Sequence, residues 1–116
     1  MVLTRRVYEP PAPEEKCRVL VDRMWPRGFS KDNASWNEWM KEIAPSDQLR
    51  KWFNHDPEKW EDFRKAYKNE LSQKQDELSK VKELESRFGT LTLVYAAKDE
   101  KHNNASVLKE VLMHGE

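Results

Sequence analysis

The sequence predicts a small α/β domain, built on a mostly parallel sheet of three to four strands with helices packed on its faces. Three observations carry that prediction. Apolar, β-branched runs at 2–8, 17–23 and 90–97 are separated by segments with helical spacing, so crossover connections must join the strands and set them parallel. No Gly or Pro interrupts residues 58–88, a stretch long enough for two helices. The chain's 116 residues fit one domain, spanning 1–116, that can bury a core without disulfide staples.

Each element has a local cause. Val2–Tyr8 is β-prone and is stopped by Pro10, Pro11 and Pro13, whereas Cys17–Arg23 is almost continuously apolar, as a central strand should be. Residues 28–35 are polar, with room for one helical turn. Trp36, Trp39, Met40 and Ile43 then follow the i, i+3, i+4, i+7 spacing of an amphipathic helix. Pro45 ends that segment, and Ser46-Asp47 offers an N-cap for a short helix carrying Leu49, Trp52 and Phe53. Asp56-Pro57 repeats the start signal. Trp60, Phe63, Tyr67 and Leu71 form one stripe, and Leu78, Val81, Leu84 and Phe88 a second, with a break expected near Ser72–Gln75 where apolar support lapses. Gly89 supplies the stop. Thr90–Ala97 is the last strand, and Asn103-Asn104 caps a final helix using Val107, Leu108, Val111 and Leu112.

Composition narrows the function classes. Twenty-one basic residues balance twenty-one acidic ones, so no overall field draws the chain to nucleic acid or to an anionic membrane, and a nucleic-acid partner is disfavoured. No apolar run reaches membrane-spanning length and no leader-like segment opens the chain, so no membrane association and a cytoplasmic location are expected. A lone cysteine, Cys17, excludes an intrachain disulfide and reads as a buried, inert thiol. Five Trp, four Phe and three Tyr mark a folding chain despite its charged surface. Nothing in the sequence sets the oligomeric state.

Candidate chemistry collects after the apolar runs, where open α/β sheets bind their ligands. Trp25-Pro26-Arg27-Gly28 suits a type I turn presenting Arg27 at its tip, with Trp25 either plugging the core or stacking on a ligand ring. Asp22 and Arg23 end a very apolar run, which requires an ion pair or a ligand-facing role for both. Tyr95, Lys98, Asp99, His102, Asn103 and Asn104 surround one strand-to-helix turn. There His102 and Asp99 form a candidate acid–base pair, Asp22 is the alternative carboxylate, and the two amides either receive an anion or serve as caps. Ser46 and Arg50 join the same edge if residues 36–43 are extended. A nucleophilic Ser46 has no glycine-flanked elbow to support it. His55 reads as a helix-end residue. Asp22, Asp99 and His102 lack diagnostic metal-ligand spacing, glycine-rich phosphate loops are absent, and no cofactor or metal is expected.

The segments Leu20-Val21-Asp22-Arg23-Met24-Trp25-Pro26-Arg27-Gly28, Ala44-Pro45-Ser46, Leu49 to Pro57, Tyr95 to Asp99 and His102 to Ala105 together resemble the YeaO-like family of small bacterial domains of unknown function. The resemblance covers nearly the whole chain in order. It implies a single α/β domain in which Trp36–Ile43 is extended, against the helical spacing, and it implies no particular reaction. Met24 stands where the resemblance suits Leu, and Asn54 where it suits Gly.

Taken together, these readings point to a strand-end pocket for a small anionic ligand, a nucleotide or another phosphorylated metabolite. Arg23, Arg27, Arg50 and Lys98 would supply the positive charge, and Trp25 or Tyr95 a stacking ring. Whether the protein is an enzyme stays open at this stage. The alternative is a noncatalytic interaction module whose partner surface is made by Trp52, Phe53, Trp60 and Phe63 on the helices.

Overall fold

The computed structural model describes residues 1–114. Four strands, β1 (Val2–Arg6), β2 (Arg18–Leu20), β3 (Glu38–Trp39) and β4 (Leu91–Tyr95), form one sheet in the order β1-β4-β2-β3. Every pairing is parallel, with Thr4 opposite Leu93 on one side of β4 and Val19 opposite Leu93 on the other. Four helices follow: α1 (Asp47–Phe53), α2 (Trp60–Ser72), α3 (Gln75–Phe88) and α4 (Asn104–His114). The predicted α/β class and strand count therefore hold.

The two faces of the sheet are covered differently. Side chains alternate across a strand, and Val19, Val21, Leu91, Leu93 and Tyr95 join one core with the buried residues of all four helices, including Phe53, Phe63, Tyr67, Val81 and Leu108. Val7, Leu20 and Val94 point the other way and are covered by Phe29 and Trp36 from the 21–37 loop. The helices thus share a single face, and an aromatic loop closes the second.

Trp36–Ile43 is where periodicity and structure part. The segment is extended: the Asn37 N–H donates to Arg18 O at 2.8 Å and the Met40 N–H to Leu20 O at 3.0 Å, and only Lys41–Ile43 turn into a short 3-10 helix. Its apolar residues split between the two faces, with Trp36 packed under the loop and Met40 and Ile43 in the helical core. Ladder bonds to a buried central strand outweigh the helical spacing, because β2 would otherwise leave its own backbone groups unpaired.

The other boundaries follow local chemistry. The Ser46 hydroxyl caps α1 by accepting from the Leu49 N–H at 3.2 Å, and Asp56 caps the Pro57–Lys59 turn ahead of α2. The expected break between two helices falls at Gln73–Lys74, and Lys74 Nζ anchors it by donating to Glu42 O and Ala44 O. Gly89 closes α3 in the left-handed region, at φ 79°. No helix among the described residues is long and apolar enough to cross a membrane.

Candidate functional site

The carboxyl ends of β2, β3 and β4 converge on a cavity of about 250 Å³ on the helical side of the sheet. Asp22, Arg23 and Met24 reach it from the exit of β2, Pro45 from the loop after β3, and Ala96, Ala97, His102, Asn103 and Asn104 from the loop after β4. Arg50, Phe53 and His55 come from α1 and its end, and Phe63 from α2.

Asp22 and Arg23 do not pair with each other. Instead they stitch the loops together. The Asp22 carboxylate accepts from the Ala96 N–H at 2.9 Å and from the Asn104 amide at 3.1 Å, and Asn104 also donates to Val21 O. Arg23 Nε donates to Pro45 O at 3.0 Å and its Nη2 to Ala44 O. The Trp39 indole N–H holds the Asp22 carbonyl at 2.8 Å. Burial pushes the Asp22 carboxyl up from its ordinary value, against the lowering effect of the Ala96 and Asn104 hydrogen bonds and of His55 and Arg50 nearby.

His102 and Asp99 do meet, with Nδ1 and Oδ2 2.9 Å apart. Asp99 also accepts from the backbone N–H groups of His102 and Lys101, and these bonds hold its carboxyl at about 2. The His102 ring stands edge-on to Trp60, with centroids 5.1 Å apart. Next to it, the two predicted amides divide the work. Asn103 is buried and caps α4, accepting from the Ser106 N–H at 2.9 Å and donating to Asp99 O, whereas Asn104 faces Asp22.

Arg50 contributes the charge with capacity to spare. Its Nη2 meets the exposed Asp47 at 3.2 Å, but its Nε is buried without an acceptor. A guanidinium N–H left that way costs free energy that an incoming acceptor would recover.

Of the residues singled out in the sequence, Asp22, Arg23, Arg50, His102, Asn103 and Asn104 line the cavity. Asp99 stands behind His102. Ser46 lies outside the lining, its N–H and hydroxyl both spent on the Glu70 carboxylate at 2.8 and 2.6 Å. Tyr95 is buried in the core, and Lys98 is exposed away from the lining. Trp25 and Arg27 sit on the loop side of the sheet. Trp25 packs edge-on against Trp36 and Trp39, and its indole N–H donates to Phe29 O at 2.7 Å. Arg27 is exposed, and its carbonyl accepts from the Tyr8 hydroxyl. The turn there centres on Arg27-Gly28, with Gly28 at φ 86°, which suits type II geometry rather than the expected type I.

Sequence reading missed Met24, Pro45, Phe53, His55 and Phe63 as lining residues. His55 reaches the cavity because Asn54 and His55 both adopt left-handed backbone after α1, at φ 46° and 57°, and Asn54 gave the only sign of such a turn. Phe53 and Phe63 stack with centroids 4.2 Å apart and are almost wholly buried, while Trp60 is half-buried. Of the four aromatic residues considered for a partner surface, only Trp52 is exposed, with Lys59 Nζ over its ring. Among the described residues no group of three or more His, Cys, Asp or Glu is placed to hold a metal.

Comparison with known proteins gives the chain its relatives. The uncharacterized protein YeaO of Escherichia coli is 40% identical over 108 residues, covering 93% of each chain. The uncharacterized protein Rv3073c of Mycobacterium tuberculosis is 38% identical over 111 residues, covering 96% of this chain and 92% of that one. No solved structure matches. The family model described as the inactive DUF488-N3 subclade matches residues 1–115. The chain therefore belongs to the YeaO-like family, within the inactive DUF488-N3 subclade.

Proposed function

We propose that this protein binds a small anionic ligand in the strand-end cavity without turning it over. The observation that carries the reading is Arg50, a cation on the cavity wall whose buried Nε has no acceptor. Two arginines oppose one aspartate on the lining, so the cations outnumber the carboxylates there. Arg23 lends its charge while its hydrogen bonds fix the Ala44-Pro45 loop.

The size of the cavity favours a ligand smaller than a nucleotide, since about 250 Å³ lies below the usual range for drug-sized ligands. The rings expected to stack on a base, Trp25 and Tyr95, are committed elsewhere. Among phosphorylated compounds the reading therefore favours small metabolites, and a carboxylate serves Arg50 equally well.

Binding rather than turnover fits the remaining groups. His102 and Asp99 form a dyad beside the cavity, yet neither candidate nucleophile reaches it: Ser46 is held by Glu70, and Cys17 lies buried at the opposite end of β2. The dyad then orients the imidazole as a hydrogen-bonding wall. The description of the family as inactive accords with this.

Thermal unfolding of the wild type with inorganic phosphate, glycerol phosphate and a panel of small carboxylates tests the reading. At a ligand concentration of about 100 Kd, binding adds roughly 2.7 kcal/mol, a Tm rise on the order of 10 °C for a chain this size. Arg50→Ala should abolish the rise, and Arg27→Ala, outside the cavity, should leave it intact. If no probe stabilises the wild type, or if Arg50→Ala retains the full shift, the proposal fails.

A further inference from the structure

Two opposite charges share the wall of the strand-end cavity without forming an ion pair with each other. Asp22 has hydrogen-bond donors, Ala96 N–H and the Asn104 amide, but it forms no ion pair with any described residue. The adjacent Arg23 gives its Nε and Nη2 to backbone carbonyls. Arg50 meets the exposed Asp47 through Nη2 and keeps its buried Nε unsatisfied. Asp22 and Arg50 line one small cavity, yet they form no salt bridge across it.

Buried charges are ordinarily paired, because an uncompensated one carries most of its desolvation cost. This chain follows that rule elsewhere. Under the aromatic loop, Glu15 and Arg18, with side chains only 1% and 3% exposed, meet at 2.8 Å. The cavity departs from it at Asp22, while Arg50, 40% exposed and paired with Asp47, keeps one buried N–H without an acceptor; the rest of the wall is largely apolar: Met24, Pro45, Phe53, Phe63, Ala96 and Ala97.

Resting on the anion reading of the same site, we propose that the ligand is a small zwitterion, an ammonium and a carboxylate carried on an apolar body, as in a free apolar amino acid. Its carboxylate meets the Arg50 guanidinium. Its ammonium meets the Asp22 carboxylate, each oxygen of which makes one hydrogen bond within the protein and keeps a second lone pair. The apolar body packs against the stacked Phe53 and Phe63 rings. The burial that raises the Asp22 carboxyl is the same desolvation that an incoming ammonium would offset. A dianionic phosphate is the poorer fit, because it would meet Asp22 with like charge.

Titration calorimetry on the wild type with free phenylalanine, phenylpropanoate, phenethylamine and inorganic phosphate provides the test, since phenylpropanoate lacks the ammonium, phenethylamine lacks the carboxylate, and phosphate is the competing anion. Phenylalanine should bind at least about tenfold tighter than either truncated compound, the equivalent of ~1.4 kcal/mol for each charge. Asp22→Asn should erase its advantage over phenylpropanoate, and Arg50→Ala its advantage over phenethylamine. Phenylpropanoate binding the wild type as tightly as phenylalanine, or phosphate binding more tightly than both, would overturn the zwitterion while leaving the anion reading in place. Absence of binding by every probe would remove both. The wild-type ranking decides the matter even if a variant fails to fold.

Discussion

Two regions of this protein hold charge withdrawn from solvent, wholly in one and partly in the other, and they use it in opposite ways. On the loop side of the sheet, Arg18 gives Nη1 to Glu15 and Nη2 to Glu9 O and the Ser35 hydroxyl, while Arg5 meets Glu15 at 3.1 Å. There the charges find one another and lock the 7–17 loop and the 21–37 loop onto the sheet. At the carboxyl ends of the strands, Asp22, Arg23 and Arg50 share a cavity without pairing with one another. Some donors in the first region also lack partners, Arg18 Nε and the Thr92 hydroxyl among them, but Arg18 lines neither the strand-end cavity nor the groove between β3 and α3. The two regions differ in that the charges of the first pair with one another, whereas those of the second border open space.

The contrast is sharpest in stability. Glu15→Ala strands Arg18 in the interior and should cost about 3–5 kcal/mol, read by urea unfolding. Arg50→Ala, by contrast, should leave unfolding nearly unchanged. Equal losses at the two sites would erase the distinction between them. Asn103→Ala, which uncaps α4 beside the cavity, should cost roughly 1–2 kcal/mol by the same measurement. Gly28→Ala should cost about 1 kcal/mol from its backbone alone, because a Cβ there meets nothing within 4 Å while φ stays at 86°.

The pH dependence of stability separates the two carboxylates of the strand-end site. With Asp22 raised from 3.8, the native chain keeps a proton that the unfolded chain has released, so stability declines as pH rises above 3.8 and through the raised folded value. Asp22→Asn should flatten that decline. Asp99 behaves the other way: its contribution is present above 3.8 and is lost as pH falls toward about 2, a loss that Asp99→Asn should remove. Chemical denaturation across pH 2–7 checks both, and a wild-type curve unaltered by either substitution would contradict the assignments. The smallest effect is expected at Arg27→Ala, within about 0.5 kcal/mol of the wild type, as for an exposed side chain away from any pairing.

Much of the fold was legible in the residue order. The parallel sheet, the break between α2 and α3, the stop at Gly89 and the capping of α1 and α4 follow from β-branched runs, lapsed apolar support and side chains suited to helix ends. Trp36–Ile43 was not legible from spacing, since an i, i+3, i+4 pattern is also met by an edge strand whose residues divide between two faces. At the site, the Asp99–His102 pair and the cluster after β4 could be read because their members are neighbours in the chain. Phe53, His55 and Phe63 could not, because only the packing of α1 and α2 against the sheet brings them to the strand ends.

By itself the sequence determined the class of the fold, the edge of the sheet where polar residues gather and the motif Asp22 to Gly28 at the end of a central strand. Tertiary structure alone decided which of those charges are spent. Arg27 and Arg50 are indistinguishable as residues, yet the strand's exit carries Arg27 to the loop side while α1 turns Arg50 toward the cavity. Arg23 is consumed by the carbonyls of Ala44 and Pro45, and Asp22 accepts hydrogen bonds from Ala96 and Asn104 in place of an ion pair. Whether a charge is free depends on distances between groups far apart in the chain, and local sequence does not encode those distances.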